Sequence, residues 1–147
     1  MEVMRLSDLK KGMTFPTYTY TLQPEIIKTY LEAVEESHPF YTDEDDAQKR
    51  VFGHPVVPPT TIAIYVTPSR VLKTVEKKPP SGMIQTAQRF EFYHPIGIGE
   101  TITVYASIDN LYQKKGRDYV VLKGEGFNRE GHKTAVSYLT FIWPSQS

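Results

Sequence analysis

The chain has 147 residues, 17 Lys plus Arg against 17 Asp plus Glu, and no cysteine. Its length suits a single domain over residues 1–147, because a chain of this size buries about 68–70% of the surface its unfolded form exposes and needs no staples. The missing cysteines exclude a disulfide scaffold, a thiolate zinc site and a cysteine nucleophile, and a balanced charge with pI near 6.9 offers no field for a nucleic-acid backbone.

Met13 to Thr21 alternates aromatic residues with threonine and predicts a strand, with Pro16 placing it at an edge or a strand start. Pro24-Glu25 suits a first helical turn, and Ile27, Tyr30, Leu31 and Val34 form an apolar stripe ending at Glu35-Glu36-Ser37-His38-Pro39. Thr42 with Asp43, Glu44 and Asp45, followed by Lys49 and Arg50, predicts a second short helix that complements its own dipole rather than a metal site. Val56 to Thr61 opens a third helix, Ile62 to Val66, apolar nearly all round and therefore buried. Thr67-Pro68 kinks or restarts it, with continuation through Val71, Leu72 and Val75 and a solvated end at Lys73, Lys77 and Lys78.

From Ile84 the period changes from 3.6 to 2. Strand runs are expected at Ile84 to His94, Thr101 to Tyr112, Tyr119 to Asn128 and Thr134 to Trp143, joined by glycine-bearing segments. The last three form an antiparallel meander. The order predicts an α+β domain, an antiparallel sheet of about five strands wrapped around a buried central helix. Its exposed edges favour a dimer over a monomer. No run nears the roughly 20 apolar residues of a membrane helix, and the opening residues MEVMRLSDLKKG have no signal-peptide core. A soluble, cytoplasmic protein is expected, with neither membrane nor nucleic acid as partner.

Tyr30 to Thr61, YLEAVEESHPFYTDEDDAQKRVFGHPVVPPTT, resembles the MaoC-like family of hot-dog-fold (R)-specific enoyl-thioester hydratases and (3R)-hydroxyacyl-thioester dehydratases. Pro39, Asp43, Ala47, Phe52-Gly53 and Val56-Val57 keep the register of its site motif. Pro58-Pro59-Thr60 looks like the FAS1-like, or MaoC N-terminal, dehydratase branch, and Phe90 to Ile108 is similar to the family's aromatic strand and following turn. The resemblance implies a hot-dog fold. It also carries the catalytic aspartate onto Glu36 and the catalytic histidine onto Tyr41, with His38 at the family's asparagine position. His54, Pro59, Thr60 and Thr61 then fall on the substrate-binding side, at the opening of the buried helix. Chemistry departs from the pattern three times: Glu36 is one methylene longer than the family's aspartate, which moves its oxygens by about an ångström, a tyrosine with an ordinary pKa near 10 donates but is a poor base at neutral pH, and Pro59 has no N–H for a thioester carbonyl where catalytic relatives carry glycine.

The implied activity is addition or removal of water at the double bond of an enoyl-CoA or enoyl-carrier-protein thioester, with no metal and no cofactor beyond the CoA or phosphopantetheine of the substrate. A non-catalytic acyl-binding subunit of a heteromeric dehydratase is the alternative, and an acyl-CoA thioesterase a third. Expected partners are an acyl thioester and a second hot-dog subunit, as a homodimer, a higher homo-oligomer or a heterodimer.

Overall fold

The computed structural model describes residues 2–38, 41, 55–73 and 75–145. The predicted second helix and His54 lie outside them. Five strands, β1 (Tyr18–Thr21), β2 (Ile84–Phe92), β3 (Thr101–Lys114), β4 (Arg117–Phe127) and β5 (Lys133–Trp143), form one antiparallel sheet in the order β1-β3-β4-β5-β2. The expected meander is β3-β4-β5. Its first hairpin turns on Lys115 and Gly116, both at positive φ (52° and 75°), the two-residue geometry that matches strand twist. In the second, the Asn128 side chain accepts from the N–H groups of Glu130 (3.0 Å) and His132 (2.9 Å).

Two elements are shorter than expected. The strand anticipated from Met13 begins only at Tyr18. Upstream, Thr14 makes an isolated bridge to Ser107 and the Phe15 N–H reaches the Ala106 carbonyl at 3.0 Å, but Pro16 cannot donate and interrupts the ladder. The helix anticipated through Val75 ends at Leu72. Beyond it Lys78 is tied by backbone bonds to Glu2 (2.8 Å) and Met4 (2.7 Å), and Lys77 pairs with Asp8 at 3.0 Å.

The sheet carries the buried helix in a trough of small residues. Ala106, Gly124 and Ser137 are paired across β3, β4 and β5, with Gly126 and Ala135 in the adjoining row. Over them lies a 3-10 turn, Pro59–Thr61, running into helix α2 (Ile62–Tyr65), whose Ile62 and Tyr65 are fully buried. A Cβ at Gly124 would stand 2.4 Å from a Val66 methyl. The missing side chain is therefore what lets the helix seat. The predicted restart occurs: Thr67 accepts from the Arg70 N–H (3.2 Å) and opens helix α3 (Pro68–Leu72).

The Tyr18 hydroxyl donates to the Tyr65 carbonyl at 2.6 Å and closes the C-terminal end of α2. Burial pushes its pKa up to about 12, opposed by the charge of Arg70. The unfolded chain gives up this proton near pH 10 and the folded protein only near 12. Its contribution to stability is thus full below pH 10 and lost as pH rises through about 12. Urea midpoints are expected to fall as the buffer passes pH 10, and to fall less steeply for Tyr18→Phe. Equal slopes would assign the alkaline limb to other tyrosines.

Candidate functional site

Helix α1 (Pro24–Ala33) starts on Pro24 and buries Ile27 and Leu31. It stops in a tight C-terminal motif. The Glu35 N–H donates to the Glu32 carbonyl (3.2 Å), the Glu36 N–H donates to the Leu31 carbonyl (2.8 Å), and Glu35 sits at φ 57°. Glycine ordinarily occupies that left-handed position, so holding a glutamate there costs about 1 kcal/mol. The reversal lifts Glu36 off the helix. Its Oε1 accepts from the His38 backbone N–H at 3.0 Å, and the Tyr41 N–H donates to the His38 carbonyl at 3.0 Å. His38 therefore links Glu36 to Tyr41 through its backbone, with its side chain on the exposed surface.

Glu36 and Tyr41 line one cavity of about 580 Å³, whose apolar wall includes Leu31 and Ile98. Tyr41 also faces a second cavity of about 310 Å³, floored by Ala135 and walled by Val57, Pro59, Phe92 and Tyr93. Backbone bonds hold these walls. The Val57 N–H donates to the Ile96 carbonyl (2.9 Å), the Ile98 N–H to the Pro55 carbonyl (3.1 Å) and the Gly99 N–H to the Leu22 carbonyl (2.8 Å). The Glu100 carboxylate accepts from the Gly97 N–H inside the same loop. Half-burial raises the Tyr41 pKa above its ordinary value, and the Glu36 carboxylate and then Tyr30 raise it further. Tyr41 is thus a donor at neutral pH, one placed beside a carboxylate.

At the opening of the central helix, Pro59 lines the second cavity and supplies no N–H, leaving the Thr60 amide as the first the turn can present. The Thr60 hydroxyl shares a 2.6 Å hydrogen bond with the Tyr30 hydroxyl. The buried Thr61 hydroxyl donates to the Pro58 carbonyl at 2.8 Å. Both threonine side chains are engaged in holding the turn, and of the three residues Pro59 lies on the wall of the second cavity. A family model described as the FAS1-like, dehydratase domain region matches residues 10–136. The chain belongs to this family.

A UPF0336 protein of Streptomyces griseus is 30% identical over 135 residues, covering 87% of this chain and 88% of the relative. Among solved structures, the C-terminally truncated HadBC (3R-hydroxyacyl-ACP dehydratase) complex of Mycobacterium tuberculosis superposes with a TM-score of 0.76 at 24% identity, covering 90% of this chain and 96% of that one. R-hydratase PhaJ1 of Pseudomonas aeruginosa gives 0.75 at 18%, covering 95% and 85%. These likenesses establish the hot-dog fold, and the five-stranded antiparallel sheet around α2 is its architecture here.

In this member of the FAS1-like, dehydratase domain region family, the residues singled out by the sequence motif lie on one rim of the cavities, and those of the other rim were not among them. Phe92, Tyr93 and His94, at the end of β2, form the opposite wall of the second cavity. Two signals mark them. Phe92 and Tyr93 are about half exposed (48% and 57%) despite their size, and the His94 ring lies tilted against that of His132 with ring centroids 4.7 Å apart.

Proposed function

We propose that the protein hydrates the C2–C3 double bond of an enoyl thioester, or runs the reverse dehydration, with Glu36 as the carboxylate and Tyr41 as a hydrogen-bond donor. One observation carries this reading. The two positions that correspond to the family's catalytic pair line a single cavity, and Tyr41 continues into the apolar groove beside Pro59. In hydration, Glu36 takes a proton from water as the oxygen bonds to C3. Charge builds on the thioester oxygen, and return of that proton from Glu36 to C2 completes the addition and restores the carboxylate. A donor aimed at that oxygen stabilises the developing enolate. Tyr41, kept protonated by burial and by Glu36, is suited to donate there or to hold the water, and is not suited to act as the base. The acyl chain lies against Val57, Phe92 and Ala135.

The test is hydration of a short (2E)-enoyl-CoA by the purified chain, read as loss of absorbance of the conjugated thioester, with product configuration determined by chiral separation. Formation of the (R)-3-hydroxyacyl product supports the reading. No turnover at high enzyme concentration, with acyl-CoA still bound, favours the second reading of a non-catalytic acyl-binding subunit. Two departures speak for that alternative: Tyr41 in place of histidine and Pro59 at the helix opening. Thioester cleavage without hydration would overturn both.

A further inference from the structure

We propose that His94 donates a hydrogen bond from its ring N–H to the thioester oxygen of the substrate. The assignment rests on the enoyl-thioester reading of the groove and divides the work within it, leaving Tyr41 to hold the attacking water.

The second cavity, about 310 Å³ in volume, is poor in free donors. Its polar side chains are Tyr41, Tyr93, His94 and Thr134. The Thr134 hydroxyl donates to the Gly126 carbonyl at 3.0 Å, and the Tyr93 hydroxyl to the Glu91 carboxylate at 3.2 Å. Tyr41 stands beside Glu36 at the junction with the larger cavity. Backbone donors on this wall are also spent. Pro59 and Pro95 carry no N–H, the Val57 N–H goes to the Ile96 carbonyl (2.9 Å), and those of Tyr93 (2.9 Å) and His94 (3.1 Å) both go to the Thr134 carbonyl. Among the described residues no group accepts from the His94 ring, whose neighbour is the His132 ring. In an apolar groove, one such donor fixes the orientation of a ligand.

Its place in the groove decides which ligand atom it meets. Val57 and Ala135 are buried at the floor, whereas Phe92, Tyr93 and His94 are exposed at the rim. An acyl chain enters for apolar contact while the charged CoA or phosphopantetheine stays in water, and the thioester is the boundary between them. Its oxygen therefore falls at the rim, with C3 further in beside Tyr41. As the water oxygen bonds to C3, charge grows on the thioester oxygen and the His94 N–H offsets it. No proton leaves the imidazole, so the ring ends each turnover as it began.

The donor is held before a substrate arrives. Pro95 confines His94 to extended backbone, and the bonds to Thr134 and between Val57 and Ile96 clamp the segment on both sides. His132 backs the ring at a centroid distance of 4.7 Å. It is fixed in turn, its N–H donating to the Asn128 side chain at 2.9 Å and its Nδ1 lying 3.6 Å from the Glu130 carboxylate. His132 is thus a positioning residue, a flat ring that holds His94 in place without reaching the substrate. A donor already in place costs no reorganisation when charge develops.

Cinnamoyl-CoA tests the assignment, because a hydrogen bond to its thioester oxygen draws charge along the conjugated system and moves its absorption band to longer wavelength. The band is expected to shift on binding to wild type. His94→Leu should bind the probe without the shift, whereas His94→Gln, which keeps an N–H donor, should retain most of it. Tyr41→Phe should leave the shift intact while slowing hydration. His132→Ala should shrink the shift and His132→Phe, which restores a flat ring, should recover it. In hydration of a short enoyl-CoA, His94→Leu should lower kcat by about a hundredfold or more with little change in KM, the usual loss for one oxyanion donor. Because His94 is exposed, circular dichroism of its variants should match wild type. A wild type that leaves the band unshifted, or a shift that survives in His94→Leu, overturns the assignment whether or not the chain hydrates enoyl-CoA. A shift lost in His94→Leu, in a chain that hydrates nothing, overturns the hydratase reading alone and leaves His94 as the thioester donor of an acyl-binding site.

Discussion

Glu36→Gln is expected to lower enoyl-thioester hydration by roughly two to four orders of magnitude, the usual contribution of a positioned general base. Gln keeps the side chain's length and can still accept from the His38 N–H, the 3.0 Å bond that fixes Glu36 in the turn, so a folding defect is not expected. Circular dichroism and the thermal midpoint should match wild type. Glu36→Asp keeps the charge but withdraws it by about an ångström, a displacement that can cost roughly a hundredfold. Tyr41→His is the informative converse. An imidazole with an ordinary pKa near 6.5 can exchange protons at neutral pH where a tyrosine cannot. The variant should turn over faster than wild type, with a rate that rises through the imidazole pKa, the limb that tyrosine lacks. Activity unchanged in Glu36→Gln would remove the carboxylate from the mechanism whatever Tyr41 does.

The proximity of Glu36 and Tyr41 was legible because a motif spacing survives substitution. The two positions keep their five-residue separation in the sequence, and both side chains line one cavity. The turn's device was not legible: a glutamate at the left-handed position, where glycine would have announced the helix stop, is fixed by tertiary context and by bonds to Leu31 and Glu32. Strand runs from Ile84 onward were readable because their period is local. Which strand neighbours which is not a local property, and the crossing of β2 to the far side of β5 follows only from assembly of the sheet. That crossing carries Phe92, Tyr93 and His94 to the cavity, so half of the site was hidden with it. Thr61 illustrates a further limit. Its place on the substrate-binding side came from the motif, whereas the hydrogen bond its hydroxyl donates to the Pro58 carbonyl is set by the local backbone. Pro16 was correctly read as incompatible with a central strand, but whether it starts a strand or interrupts one depends on the register of β3.

Gly124→Ala should destabilise the protein by about 2–3 kcal/mol, near the upper end for overpacking, and lower the thermal midpoint by several degrees, at roughly 3 °C per kcal/mol for a chain of this size. The added Cβ would meet Val66 methyls at 2.4 and 3.0 Å and the Val66 Cβ at 3.3 Å. Val66 is β-branched, fully buried and anchored just past α2, so it cannot rotate away and must move with the helix. Gly126→Ala is expected to cost less, because its nearest neighbours, an Ile102 methyl and the Thr134 hydroxyl, stand at 3.0 and 3.1 Å. Val66→Ala alone leaves a cavity and costs about 2 kcal/mol. Combined with Gly124→Ala it removes the two closest clashes and fills part of the void. The double variant should then be more stable than the sum of the single losses by about 1 kcal/mol or more. Relief stays partial because the Val66 Cβ remains. Strict additivity in urea denaturation would mean that the helix is not seated on Gly124. Coupling would show that the small-residue trough sets the height of α2 over the sheet, and with it the position of Pro59 at the groove.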